Sequence, residues 1–227
     1  MTFLFADRAE AGQILAKHLT ARMSTLSATN TVVLALPRGG VPVAAEIAVM
    51  IDAPMDLIMV RKIGVPGHEE LAIGAVVDGT HPEIVVNTDV AHQFGLSAEA
   101  VRNMSTSGLC EIERRRALYL EGRAPVSLKG KTAVIVDDGI ATGASIKAAL
   151  KAVARRLPAR IILAIPVAPA NTLAELRNDT VDIICPETPS PFYAVGAHYK
   201  DFPQVYDAAV IKALQRTGLP ASPPSAP

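Results

Sequence analysis

The sequence predicts an α/β protein: a doubly wound, mostly parallel sheet with flanking helices. Three observations predict it. Short β-branched runs alternate with helix-patterned segments along the chain, the order of βαβ units. Runs such as TVVLALP and KTAVIVDD are continuously apolar, as strands covered on both faces must be. The 227 residues, 50% hydrophobic, suffice for one sizeable core.

The elements follow in order. DRAEAGQILAKHLTARM sets Ala11, Ile14, Leu15, Leu19 and Met23 near one helical face, with Asp7 as N-cap. TVVLALP is the first strand, VPVAAEIAVMI a helix and MDLIMV the second strand, which Arg61 and Lys62 are expected to close. AIGAVVDG and PEIVVN read as two strands joined at Asp78–Gly79, a hairpin signal. SAEAVRNMSTSGLCEIERRRALYL is one long helix, in which Glu111 and Arg115 form a supporting pair. KTAVIVDD, ARIILAIPVA and VDIICPE are further strands, separated by the helices GASIKAALKAVARRL and NTLAELRN. Residues 1–216 read as one domain, and 217–227, rich in Pro and Ser, as a disordered tail.

Charge and composition narrow the function. Lys+Arg 22 balance Asp+Glu 22, so the broad basic field of a sequence-independent nucleic-acid binder is missing. No apolar run reaches membrane-spanning length, and MTFLFADRAE has no secretory pattern. Cys110 and Cys185 fit no metal spacing and read as small buried hydrophobes in a reducing compartment. The expectation is a cytoplasmic protein with no nucleic-acid or membrane partner.

VIVDDGIATGAS, Val134 to Ser145, carries the chemistry. In an open parallel sheet, ligands bind beyond the carboxyl ends of the strands. Asp137 and Asp138 stand at such an end, and Gly139 to Ser145 turns into a helix N-terminus, whose free N–H groups suit a phosphate. Thr142 and Ser145 add hydroxyls, and Gly143 admits close backbone approach. Phosphate in the turn and vicinal hydroxyls on the acids describe a ribose 5-phosphate. The Gly-Lys-Ser/Thr ending of a Walker loop is missing. In LPRGGVP, Arg38 brings charge, and Gly39–Gly40 let amides turn toward an anion. VRKIGVPGHEE adds Arg61 and Lys62. His68 and the two glutamates after it do not form a zinc motif.

VIVDDGIATGAS resembles the phosphoribosyl-pyrophosphate (PRPP) signature of type I phosphoribosyltransferases. The resemblance implies that Asp137 and Asp138 hold the ribose hydroxyls of PRPP, with Mg²⁺ largely through PRPP and water. Ala141, Thr142, Gly143, Ala144 and Ser145 would cradle the 5-phosphate. It places a pyrophosphate loop, often with a strained or cis peptide, on Leu36 to Val41, so that Arg38, Gly39, Gly40 and Lys62 hold pyrophosphate. Arg38, Arg61 and Lys62 are the expected catalytic cations, and Gly64 to Glu70 corresponds to a mobile closing loop. PSPFYAVGAHYKDFPQVYD is similar to the hood of the hypoxanthine-guanine enzymes, with Phe192 or Tyr193 stacking on the base and Val195 beside it. A core aromatic cluster is an equal reading of that string. The implied fold adds a small hood, built from the N-terminal segment and about 186–206.

Asp7 to Tyr206 as a whole is similar to stand-alone bacterial phosphoribosyltransferase-domain proteins. Two departures bear on the acceptor. Ala141 stands where the purine enzymes carry an acid, and AIPVAPAN lacks their purine-reading lysine. Gly139 replaces a usual apolar residue. The implied activity is transfer of a 5-phosphoribosyl group from PRPP to a nitrogenous base with release of pyrophosphate. A PRPP- or nucleotide-binding regulator on the same fold is the alternative, and a homodimer is left open.

Overall fold

The computed structural model describes residues 3–23, 25–66, 68–78, 82–121, 125–177 and 181–217. The chain runs α1 (Arg8–Arg22), β1 (Thr31–Ala35), α2 (Gly40–Met50), β2 (Met55–Leu57), β3 (Val60–Val65), β4 (His68–Val77), β5 (Glu83–Val86), α3 (Thr88–Gln93) and α4 (Ala98–Leu120). It continues β6 (Thr132–Val136), α5 (Ala144–Arg155), β7 (Arg160–Ala164), α6 (Ala170–Leu176), β8 (Val181–Ile184), a 3₁₀ turn at Val195–His198, and α7 (Asp207–Arg216).

Five strands form a parallel sheet in the order β2-β1-β6-β7-β8. β1 is buried along its full length, which explains a strand with no polar alternation. Its successive side chains feed two cores. Val33 and Ala35, with Val134, Val136 and Ile162, face α1, α2 and α7. Val32 and Leu34, with Ala133, Ile135 and Leu163, face α5 and α6. The doubly wound, mostly parallel architecture is therefore as expected.

The second sheet, β3-β4-β5, is antiparallel and packs between α4 and α5. Its presence corrects one expectation: Arg61 and Lys62 do not close the second parallel strand. That strand ends at Leu57, the Ile58 N–H bonds Ala35 O at 3.0 Å, and the chain then crosses into the antiparallel sheet. The crossing is pinned by Asp78, whose N–H bonds Met59 O at 2.9 Å and whose carboxylate accepts from the Met59 N–H at 2.8 Å. Arg116 of α4 donates to the other Asp78 oxygen at 2.7 Å. Burial nevertheless pushes the Asp78 carboxyl up to about 6, against the pull of Met59 and Arg116.

Gly64 to Glu70, expected as a mobile closing loop, lies at the end of this hairpin, where Gly64 pairs with Ala72 and Val65 with His68 across register shifts. Strand pairing continues there because bulges absorb the irregular residues. Gly67 lies outside the described residues, as do the turn at Gly79 and the tail from Gly218 on.

Asp7 caps α1 by accepting from the Glu10 N–H at 2.8 Å, and Glu111 pairs with Arg115 at 2.6 Å. Cys110 is corrected: it is exposed, because α4 buries Val101, Ser105, Gly108 and Ile112 on the other face. Cys185 is half-buried, and burial pushes its thiol up to about 11. Among the described residues no helix is long and apolar enough to cross a membrane.

Candidate functional site

The site grows from the carboxyl ends of β1 and β6. Leu36 N–H bonds Val136 O at 2.9 Å, which lays the loop after β1 against the end of β6. The Pro37–Arg38 peptide in that loop is cis. Gly39 and Gly40 then lie directly on the two acids. A Cβ on Gly39 would stand 2.2 Å from Asp138 Oδ2, and one on Gly40 would stand 2.7 Å from Val136 O and 2.8 Å from the Asp137 Cα. The sequence needs two glycines here because the Asp138 carboxylate fills the space beside Gly39 and the Val136–Asp137 backbone fills that beside Gly40. Arg38 is half-buried, with Nη1 3.5 Å from Asp207 Oδ1 at the start of α7. Tyr119 of α4 donates to the same oxygen at 2.6 Å, and that bond holds the Asp207 carboxyl below its usual range.

The acids are held with care. Asp137 Oδ1 accepts from the Asp138 N–H at 2.9 Å. Burial, then the charge of Asp138, holds the Asp137 carboxyl well above its usual range. Burial also raises Asp138, opposed by Arg8. Tyr199 of the hood donates its hydroxyl to Asp138 O at 2.6 Å. These are paired hard oxygen donors at a strand end. Mg²⁺ is typically taken by one or two carboxylates together with substrate oxygens and water, so the residues fit that ion.

The turn from Gly139 to Ser145 is tied to the segment after β7 and to α6. Ile140 N–H bonds Val167 O at 3.1 Å, and the Thr172 hydroxyl donates to Ala141 O at 2.9 Å. Gly143 adopts φ +73, a conformation open to glycine, and α5 starts behind it with no side chain capping its N–H groups. Thr142 and Ala141 are exposed, while Ala144 and Ser145 are half-buried. An uncapped helix start with a hydroxyl on either side of Gly143 can receive a phosphate.

Gly139 now has a physical account. A Cβ there would stand 2.4 Å from Val195 Cγ1, so the hood valine fills the apolar position that the turn leaves empty. Val195, expected beside an acceptor base, is thus packed onto the turn. Phe192 is half-buried, 4.9 Å from the His198 ring, and Tyr193 is 79% exposed. These two line a cavity of about 530 Å³ shared with Ala141, Thr142, Asn171 and Thr172. The aromatic-cluster reading also holds in part: Phe192 and Val195 pack against Phe5, Ala11, Val167 and Tyr199. The N-terminal segment closes this unit, with Leu4 N–H to His198 O at 2.9 Å and Lys200 N–H to Phe5 O at 2.9 Å.

The three expected cations are not brought together. Arg38 reaches Asp207 at the start of α7. Arg61 and Lys62 are adjacent on β3 and so point to opposite faces. The Arg61 stem lies against Gly108 of α4. Lys62 lines a separate cavity of about 350 Å³, with Ala144, Lys147 and Lys151 of α5.

Arg8 is the residue that sequence reasoning missed. Its Nε donates to Asp138 Oδ2 at 2.8 Å, its Nη1 to Pro203 O at 2.7 Å, and its guanidinium lies 3.6 Å above the Phe202 ring. The only signal was its place as the first residue of a capped helix, where a solvated side chain is the ordinary outcome.

The fold is thus a doubly wound α/β protein that gathers paired acids, a glycine loop and an uncapped helix start at the carboxyl ends of its strands. Residues 7–201 match the phosphoribosyl transferase domain family, and the chain belongs to that family. It is 42% identical over 214 residues to a Mycobacterium tuberculosis protein named "Putative phosphoribosyl transferase Rv0571c", and equally to its counterpart in a second strain. That match covers 94% of this chain and 47% of the relative, so the chain spans about half the length of the curated relatives it matches. The crystal structure of TT1426 from Thermus thermophilus superposes with a TM-score of 0.79 and 36% identity, covering 92% of this chain and 97% of that one.

Proposed function

We propose that this protein binds PRPP with Mg²⁺ and transfers its 5-phosphoribosyl group to a nitrogenous base, releasing pyrophosphate. One observation carries the reading. The glycine loop bearing Arg38 lies on the Asp137–Asp138 pair so closely that Gly39 has no room for a side chain. A pyrophosphate-binding loop and a ribose-binding pair of acids must meet in this way, because both groups sit on the same sugar.

In the reaction, the bond from the anomeric carbon to pyrophosphate breaks, a bond from that carbon to a base nitrogen forms, and the nitrogen gives up its proton to solvent. Asp137 and Asp138 orient the ribose hydroxyls. The N–H groups that open α5, with Thr142 and Ser145, hold the 5-phosphate and fix the sugar's place. Arg38 offsets charge on the departing pyrophosphate and is itself steadied by Asp207. Mg²⁺, when bound by Asp137 and Asp138 through PRPP and water, supplies further positive charge to that leaving group. Phe192 and Tyr193 offer the base a stacking face at the rim of the adjoining cavity.

Incubation with PRPP, Mg²⁺ and a panel of purine, pyrimidine and pyridine bases, with pyrophosphate measured, tests the reading. Pyrophosphate release that depends on one base class is the expected result. Hypoxanthine and guanine should serve poorly, because Ala141 puts no acid in that cavity and the stretch AIPVAPAN around Ile165 has no lysine. Tight PRPP binding with no release from any base would instead favour the regulator.

A further inference from the structure

Arg8 joins three parts of the molecule that are distant in sequence. Its side chain is 10% exposed, and its partners come from the end of β6 and from the hood. A buried guanidinium is retained only where its donors are satisfied, and here a carboxylate, a carbonyl and a ring face share it. Asp138 is wedged in turn. The Gly39 backbone lies against its carboxylate on one side and Arg8 takes Oδ2 on the other. Its carbonyl is held by Tyr199, which packs 4.8 Å from Phe202, the ring beneath Arg8.

We infer that Arg8 is a positioning residue: it locks the Asp138 carboxylate in the orientation that receives the ribose of PRPP and ties that carboxylate to the hood, so that donor binding and hood order are coupled. The inference rests on the reading of Asp137 and Asp138 as the ribose site. Arg8 bonds Oδ2, and any movement of Asp138 is transmitted through one rigid fork to Pro203 and Phe202. Lysine cannot replace it fully. A lysine offers one point charge to Asp138, without the planar fork that bonds Pro203 and stacks on Phe202 together.

The test uses the full chain with PRPP and Mg²⁺ as the probe. Calorimetry should show PRPP affinity at least tenfold weaker in Arg8→Met, which keeps the packing stem and loses the charge, and largely recovered in Arg8→Lys. Hydrogen exchange at the Tyr199, Lys200 and Asp201 amides, which close the hood, should slow on PRPP–Mg²⁺ binding in the unaltered protein. That slowing should be lost in both variants. Phe202→Leu, which keeps the ion pair, should hold PRPP affinity within threefold and still lose the slowing, and it serves if Arg8→Met does not fold. A purely structural Arg8 would lower the unfolding midpoint and leave the folded variant's PRPP affinity unchanged, which overturns the inference. Hood slowing that persists in Arg8→Lys and Phe202→Leu also overturns it. Failure of the unaltered protein to bind PRPP–Mg²⁺ is a different result: it overturns the ribose-site reading, and the role of Arg8 with it.

Discussion

Replacing Gly39 by alanine isolates the contact on which the functional reading stands. Gly39 has φ −60 and ψ −41, which alanine adopts without strain, so only space opposes the change. The new Cβ would lie 2.2 Å from Asp138 Oδ2, 2.7 Å from its Cγ and 3.0 Å from its Oδ1. Reaching ordinary contact requires the carboxylate to retreat by about 1 Å. Asp138 cannot retreat freely, because Arg8 holds Oδ2 at 2.8 Å and the carboxylate is largely buried. Overpacking of this kind costs about 1–3 kcal/mol, and a weakened charged hydrogen bond adds about 1.5–3 kcal/mol at most. Stability should therefore fall by about 1–3 kcal/mol if the bond survives, and by more if it breaks. PRPP affinity should fall at least tenfold, since the displaced group is the proposed ribose ligand. Urea unfolding and calorimetry with PRPP–Mg²⁺ read the two effects. Stability within about 0.5 kcal/mol of the unaltered protein, together with unchanged PRPP affinity, would refute the reasoning.

Three further outcomes are expected. Asp78→Asn tests the hairpin pin: a carboxyl raised from 3.8 to about 6 gives stability that is complete below pH 3.8 and lost as pH rises through 6, about 3 kcal/mol in all at 1.4 per unit. The variant's stability should lack that decline between pH 4 and 6.5, and an unaltered slope in denaturant titrations would remove Asp78 as its source. Gly139→Ala should destabilise by about 1–3 kcal/mol through the clash with Val195, and adding Val195→Ala should restore much of the loss; additive effects in the double-mutant cycle would deny the contact. Tyr119→Phe should cost about 0.5–1.5 kcal/mol and free Asp207 to titrate at higher pH, visible by carboxyl NMR; an unmoved Asp207 resonance would contradict the bond.

The sequence disclosed the parallel sheet because its central strands β1, β6 and β7 carry the uninterrupted apolar runs VVLA, AVIV and IILA, and it disclosed the acids because two charges at the end of such a run have no place in a core. It concealed the change of sheet after Leu57. MDLIMVRKIGV contains no Gly or Pro before Gly64, so a single long strand is the natural reading, and only the Asp78–Met59 pairing divides it. Helix α7 was passed over although Val210, Ala213 and Leu214 fall at helical spacing, because no side chain caps its start at Tyr206. Arg8 could not be found from sequence. An arginine inside a helix is ordinarily solvated, and its burial is decided by Asp138, Phe202 and Pro203, which stand far along the chain.

The hood also bears on when the site is assembled. Phe5 bridges to Tyr199, and Arg8 reaches Pro203 across 195 positions of sequence, so its contacts are among the least local in the molecule. Such contacts reward the chain only after a long loop has been closed. During synthesis the Asp137–Asp138 strand end and the glycine loop can form while the residues that cover them are still unmade. The site would therefore pass through an open stage, with the buried acids exposed to water and Arg8 without its carbonyl and ring. Residues added before Leu4 would act on the last step, since they lengthen the segment that must slot beside Tyr199.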